Sequence, residues 1–250
     1  DKRLFSRWIS VSYILCCDAL FLLASLSPLI LLLLLVGVYL KWMIPRIIFA
    51  LLATTIAIDF SIPLPDGSQP NQKLNKTLHR IGAEGMEAYC PLKTICVPSK
   101  LSKDMSYILA TWPHGLLGGG NHSFHADFIG KFGVYPLYAG ASVMRYVPFV
   151  RRIIHTWGFV DVGKQSLMKR LNVKQQENDS NYPYNAICLM VGGIEEMFYT
   201  PGHSSYEQIV FHKRKGFIKL ALQCGCDIIP IYTFGANEMW YRTCGPKSFL

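Results

Sequence analysis

Charged side chains are scarce: Asp, Glu, Lys and Arg make up 16% of the 250 residues, against 51% apolar. Soluble domains carry about 25% charged residues, so this deficit points toward membrane contact. Acids are the rarer sign, leaving a formal net charge of +9 spread along the chain. That distribution suits anionic headgroups or a phosphate-bearing substrate. No nucleic-acid motif accompanies it, so nucleic acid ranks last and is not an expected partner. The eight cysteines (16, 17, 90, 96, 188, 224, 226 and 244) form no C-x-x-C. Cys224-Gly-Cys226 is too close for a usual zinc pair, and most of the others lie in apolar runs. They read as free, buried thiols facing a reducing compartment. No G-x-S-x-G occurs, and Gly202-His-Ser-Ser-Tyr206 lacks the second glycine, which removes the serine-hydrolase reading. Walker and dinucleotide fingerprints are absent. His122-x-x-His125 has metal-ligand spacing but no third ligand, so no metal is expected.

Long apolar runs are present, at the N-terminal end. Residues 19–40 carry no charge, and the apolar character reaches back to Trp8 with Asp18 as its one interruption. As a helix this run extends about 33 Å, enough to cross a bilayer core. It is too long for a signal peptide and no small-residue cleavage site follows. Lys2, Arg3 and Arg7 precede it, which favours a cytosolic N-terminus. A second run, Ile47 to Ile58, follows Lys41, Pro45 and Arg46; by length it spans marginally or dips in and returns. The preferred topology is a transmembrane or re-entrant hairpin with both ends cytosolic. A single span, placing the rest in the lumen, is the alternative, and only then would the sequons at Asn75, Asn121 and Asn178 matter.

Residues 61–70 hold three prolines and a glycine and read as a linker, followed by a short polar helix at 71–88. Beyond Ser102, strand-like runs alternate with helical ones. Strands are expected at Tyr107–Ala110, Val134–Ala141, Gly158–Val162, Ala186–Val191 and Asp227–Phe234. Helices are expected at 121–131, Val147–Thr156 and Gly216–Gln223, and the polar stretch 172–184 reads as an exposed loop. This alternation predicts an α/β fold with a mostly parallel sheet flanked by helices. The expected organisation is a membrane anchor hairpin over 1–60, a linker and short helix over 61–100, and a domain over 101–250. The chain begins with Asp1 and ends abruptly at Leu250, so it is expected to be a piece of a longer protein, truncated at the C-terminus.

In parallel sheets ligands bind beyond the carboxyl ends of the strands. Three strands here end in glycine or polar residues: Trp112-Pro113-His114-Gly115, Gly192-Gly193-Ile-Glu195-Glu196, and Gly235-Ala-Asn237-Glu238. A histidine at a strand end, beside Gly118-Gly-Gly120, is a candidate general base. The Gly192-Gly193 turn lets backbone approach a ligand and can aim N–H groups at an oxyanion. Glu195 or Glu196 either orients an imidazolium or supplies acidic charge to a helix N-terminus. Lys213-Arg214-Lys215-Gly216 places three cations before an apolar helix, facing either lipid headgroups or the phosphates of CoA.

Taken in order, Pro113-His114-Gly115, Val191-Gly-Gly-Ile-Glu-Glu196, Arg214-Lys-Gly-Phe-Ile-Lys-Leu-Ala-Leu222 and Ile229-Pro-Ile-Tyr-Thr-Phe-Gly-Ala-Asn-Glu238 resemble the type-2 diacylglycerol acyltransferase family, over about residues 105–240. The family includes monoacylglycerol and wax-alcohol acyltransferases. The resemblance implies a glycerolipid acyltransferase-like fold in the endoplasmic reticulum membrane, its catalytic domain facing the cytosol, with the lipid droplet as a second location. It implies transfer of a fatty acyl group from acyl-CoA to a lipid hydroxyl, first of all diacylglycerol to give triacylglycerol, with monoacylglycerol or a long-chain alcohol as alternative acceptors. Acyl-CoA is a substrate and no cofactor is implied; the bilayer is a partner, and a homo-oligomer is left open. His114 and Glu196 take the catalytic positions. Trp112, Pro113, Gly115, Gly192, Gly193, Lys213, Arg214, Lys215, Gly216, Asn237 and Glu238 take substrate-binding ones. Two departures stand out: Trp112 replaces the family's usual histidine, and the chain stops at Leu250 where members continue. Acyltransferases of the glycerol-phosphate type carry an aspartate five residues after the histidine; that position is Gly119 here, so Glu196 is the expected carboxylate partner. In an extended segment positions 112 and 114 share a face, which would set Trp112 at the border of the acceptor pocket. A catalytically inactive, membrane-anchored lipid-binding protein is the non-enzyme alternative.

Overall fold

A computed structural model describes residues 26–39, 43–63, 77, 95, 101–102, 105–115, 136–156, 158–172, 186–199 and 209–237. Several expectations lie outside the described residues: Gly118–Gly120, His122 and His125, the helix at 121–131, Glu238, the three sequons, and nearly all of 71–88 and 172–184.

At the N-terminal end, helix α1 (Ser27–Tyr39) packs against helix α2 (Met43–Ser61). Pro28 falls in the first turn of α1 and Pro45 in that of α2, where a missing N–H removes no intrahelical bond. That accommodation explains why α2 starts ahead of the expected Ile47 and runs 19 residues, about 28 Å at the α-helical rise. Among the described residues it is the one helix long and apolar enough to cross a membrane. Its Leu and Ile side chains are largely exposed.

The far end of α2 is fastened to the rest of the chain through Asp59, which is only 4% exposed. Its carboxylate pairs with Arg151 Nε at 3.3 Å and with Arg152 Nε. Both guanidinium groups also donate to the main-chain oxygens of Asp59 and Ile62, at 2.6–3.0 Å. Arg151 stacks over the Phe60 ring, 4.5 Å from its centroid. A buried carboxylate is tolerated at such a place because cations and hydrogen bonds replace its lost hydration.

All five expected strands form: β1 (Tyr107–Trp112), β2 (Pro136–Gly140), β3 (Phe159–Asp161), β4 (Ala186–Met190) and β5 (Asp227–Tyr232). They make one sheet in the order β3-β2-β4-β1-β5, with every pairing parallel. The central strands are buried on both faces, which is why they read as apolar runs instead of alternating ones. A short 3₁₀ turn (Ser142–Tyr146) and helix α3 (Val150–Thr156) follow β2. Helix α4 (Lys164–Leu171) follows β3, and helix α5 (Gly193–Tyr199) follows β4. Helix α6 (Gly216–Cys224) leads into β5.

One face of the sheet carries Ile108, Ala110 and Ile187, packed with Leu167 and Leu171 of α4 and Phe217, Leu220 and Ala221 of α6. The i, i+3, i+4 spacing of the α6 residues makes the inward stripe. Phe217 and Leu220 each contribute about 1.5–3 kcal/mol when fully buried. Tyr107, Leu109, Ala186 and Cys188 cluster on the opposite face. Cys188, Cys224 and Cys226 are free thiols. Burial pushes the Cys188 thiol up to about 12, so it is neither nucleophile nor ready redox group.

Candidate active site

β1 lies between β4 and β5, with Thr111 opposite Met190 and Trp112 opposite Tyr232, so the three strands end side by side. The ladder continues one step further: Thr233 N–H donates to the Trp112 carbonyl at 2.8 Å, and Val191 N–H to that of Thr111 at 3.4 Å. His114, the Gly192-Gly193 turn and Asn237 therefore leave the same sheet edge. This is the convergence the strand ends predicted.

His114 follows a cis Trp112–Pro113 peptide. Its backbone N–H donates to Glu196 Oε2 at 3.1 Å. Its ring Nδ1 lies 2.8 Å from the carbonyl oxygen of Gly115. A carbonyl can only accept, so Nδ1 carries the proton and Nε2 presents its lone pair. Burial also pulls the imidazole below its ordinary pKa, ahead of the opposing hydrogen bond to Gly115. Burial thus favours the neutral ring, and in that ring the Gly115 carbonyl, by holding the proton on Nδ1, leaves Nε2 as the basic nitrogen. That is the state a general base requires.

Glu196 is 0% exposed. It reaches His114 through the main chain, so it positions the residue while the Gly115 carbonyl sets the ring. Gly192 makes room for it: a Cβ there would stand 2.6 Å from Glu196 Cβ and closer still to its carboxyl group. Gly115 has φ +62, and a Cβ on it would lie 2.9 Å from the Ala236 carbonyl oxygen and 4.0 Å from Asn237 Oδ1. Only glycine meets both conditions at low cost. Asn237 is 8% exposed, and neither of its amide atoms has a hydrogen-bond partner among the described residues. A buried amide beside the histidine turn, with its hydrogen-bonding capacity unused, is suited to a ligand oxygen.

The remaining positions divide. Trp112 packs its indole against Phe211 and Phe217, with centroids 5.9 and 6.2 Å apart, and joins the core cluster on the α6 face. Its Nε1 is buried without a partner among the described residues. Arg214 Nη2 donates to Glu195 Oε2 at 2.9 Å, tying the lead-in of α6 to the first turn of α5. Lys213 and Lys215 are exposed beside it, and Gly216 opens α6. Because Phe217 touches Trp112 at the end of β1, the basic lead-in stands at the same edge as His114. Sequence reasoning had no place for Asp59 with Arg151 and Arg152; the one trace was an acid closing an apolar run and a basic helix far along the chain.

A family model described as "Diacylglycerol acyltransferase" matches residues 38–249. The chain is 32% identical over 191 residues to diacylglycerol O-acyltransferase 2-like protein 6 of Mus musculus, covering 74% of this chain and 52% of that protein. It is 29% identical over 189 residues to human 2-acylglycerol O-acyltransferase 3, covering 73% and 51%. It is also 29% identical over 205 residues to human diacylglycerol O-acyltransferase 2, covering 80% and 48%. It thus spans about half the length of these curated relatives. No solved structure matches it significantly. With a family match running across both α2 and the sheet whose edge carries His114, the chain belongs to the diacylglycerol acyltransferase family.

Proposed function

We propose that this chain carries the catalytic centre of a membrane-bound O-acyltransferase that moves a fatty acyl group from acyl-CoA to a lipid hydroxyl, diacylglycerol first among acceptors. The observation that carries the reading is the protonation geometry of His114. With Nδ1 tied to Gly115, Nε2 takes the proton of the acceptor hydroxyl as its oxygen attacks the thioester carbonyl. The tetrahedral oxyanion is met by N–H groups of the Gly192-Gly193 turn and by the Asn237 amide. Its collapse breaks the C–S bond, CoA leaves as thiolate, and the imidazolium returns its proton to the thiolate or to water. No acyl-enzyme is needed, because the thioester is already activated. The names of the relatives, which cover acylation of diacylglycerol and of 2-acylglycerol, support the acceptor class. Residence in the endoplasmic reticulum membrane, with the sheet on the cytosolic side, is part of the same proposal.

The test is a thin-layer assay with labelled acyl-CoA and a panel of diacylglycerol, monoacylglycerol and long-chain alcohol. Label moving into triacylglycerol supports the reading; no transfer to any acceptor supports the inactive lipid-binding alternative. Lys213 and Lys215, exposed beside the N-terminus of α6, are placed to meet the CoA phosphates. Neutralising both to Gln should raise the apparent KM for acyl-CoA several-fold more than that for the acceptor. Unchanged kinetics with weaker vesicle binding would assign them to headgroups instead.

A further inference from the structure

The segment joining β2 to α3 carries its apolar side chains outward. Val143 is 59% exposed and Tyr146 73%, and the Phe149 ring is also exposed. Its polar groups pair with the end of β3: Ser142 Oγ donates to Asp161 Oδ1 at 3.1 Å, and Arg145 lies 3.8 Å from Asp161 Oδ2. Phe149 adopts φ +63, a conformation bulky side chains rarely take, which persists only where the surroundings over-determine it. Phe149 is bonded on both sides: its N–H donates to Asp59 Oδ2 at 3.4 Å, beside the two arginine pairs, and its carbonyl accepts from Arg152 and Ile153 N–H at 3.1 and 3.3 Å. The tip is therefore bonded directly to the last turn of the membrane-length helix.

We propose that residues 142–149 form a membrane seat of the catalytic domain, an apolar tip resting in the headgroup–acyl boundary where α2 leaves the bilayer. The inference rests on the reading of α2 as a membrane helix. If α2 lies in the bilayer, the buried, paired carboxylate of Asp59 marks its exit, and a segment hydrogen-bonded to Asp59 sits at that depth. The residues suit the place. Tyr belongs to the aromatic belt of membrane interfaces, and Val and Phe bury apolar surface just beneath it. Arg145, half exposed, lies level with the headgroups. Because β2 runs parallel to β4 and β1, the tip leaves the same sheet edge as His114. The seat thus presents that edge to the surface in which a lipid acceptor is dissolved.

The experiment uses the full chain reconstituted in phosphatidylcholine–phosphatidylserine vesicles doped with spin-labelled phosphatidylcholine. A fluorescent coumarin amino acid replaces, one at a time, Tyr146, Val143, Leu51 within α2, or Leu222, which is 81% exposed near the C-terminal end of α6. Quenching at 146 and 143 comparable to that at 51, with 222 at the level of solvent, is the expected result. Quenching at 51 with none at 146 or 143 overturns the seat while leaving the membrane helix standing; the tip then faces water or another protein. Quenching at 146 and 143 without 51 refutes the helix reading and, with it, a seat at the exit of α2. No quenching at any of the three positions overturns both.

Discussion

Replacing His114 with Ala should cut acyl transfer by orders of magnitude while leaving the protein folded and membrane-bound. The imidazole is half-buried with one ring hydrogen bond among the described residues, to Gly115, whose loss costs about 0.5–1.5 kcal/mol of stability. The chemical loss is far larger. Removing a positioned general base lowers kcat by about 10²–10⁴-fold. The KM for acyl-CoA should move little, since the proposed phosphate contacts at Lys213 and Lys215 lie on a different element. Parallel measurement of kcat, KM and detergent extraction for parent and variant checks all three points. A variant within a few-fold of the parent in kcat would remove His114 from the chemistry.

Losing the Glu196 carboxyl should rank second in effect, and it separates two adjacent acids. Glu196→Ala leaves the His114 N–H without its acceptor and opens a void against Gly192. Leaving a buried donor without its partner costs about 1–3 kcal/mol, so lower stability and displacement of the His114 backbone should follow. If that energy appears in the transition state, activity falls on the order of 10-fold or more. Gly192→Ala should produce the same defect from the other side, by driving a methyl group into the Glu196 carboxyl. Glu195→Gln weakens one part-exposed pair with Arg214, worth about 0–1 kcal/mol, and should leave transfer near the parent level. Thermal unfolding and kcat for the three variants decide the matter. Equal losses at 195 and 196 would mean that Glu196 does not position His114.

How much could be read from the sequence follows from where each signal resides. The inner strands were legible because doubly buried parallel strands are unbroken apolar runs, Tyr107–Ala110 being the clearest, and the edge strand β5 is apolar enough to read the same way. The active edge was legible for a related reason: His114, Gly192 and Asn237 each directly follow such a run. Helix α4 was not. It is short and basic, and its apolar trace is confined to Leu167, Met168 and Leu171, about one turn. The two acids looked alike in the sequence apart from the family match. Successive residues of a helix point about 100° apart, and that rotation sends Glu196 inward to His114 and Glu195 outward to Arg214. Two contacts had nothing in the local sequence to show who pairs with whom. The Asp59–Arg151–Arg152 cluster joins residues about ninety positions apart, and the proton on Nδ1 of His114 is set by a carbonyl in the turn. Trp112, placed at an acceptor pocket by simple alternation, packs against Phe211 and Phe217; a pocket role for it remains a proposal for the Trp112→His variant across acceptors of different bulk.

The claim that His114 is a neutral, Nδ1-protonated base is met most directly by the pH dependence of kcat/KM for acyl transfer in the parent chain. A base must be unprotonated, and burial lowers the pKa of this one below the ordinary histidine value. Activity should therefore decline along an acid limb whose midpoint lies below the ordinary histidine pKa. The residual activity of His114→Ala should lack that limb. An acid limb at or above the ordinary histidine pKa, or one that persists unchanged in His114→Ala, would contradict the account.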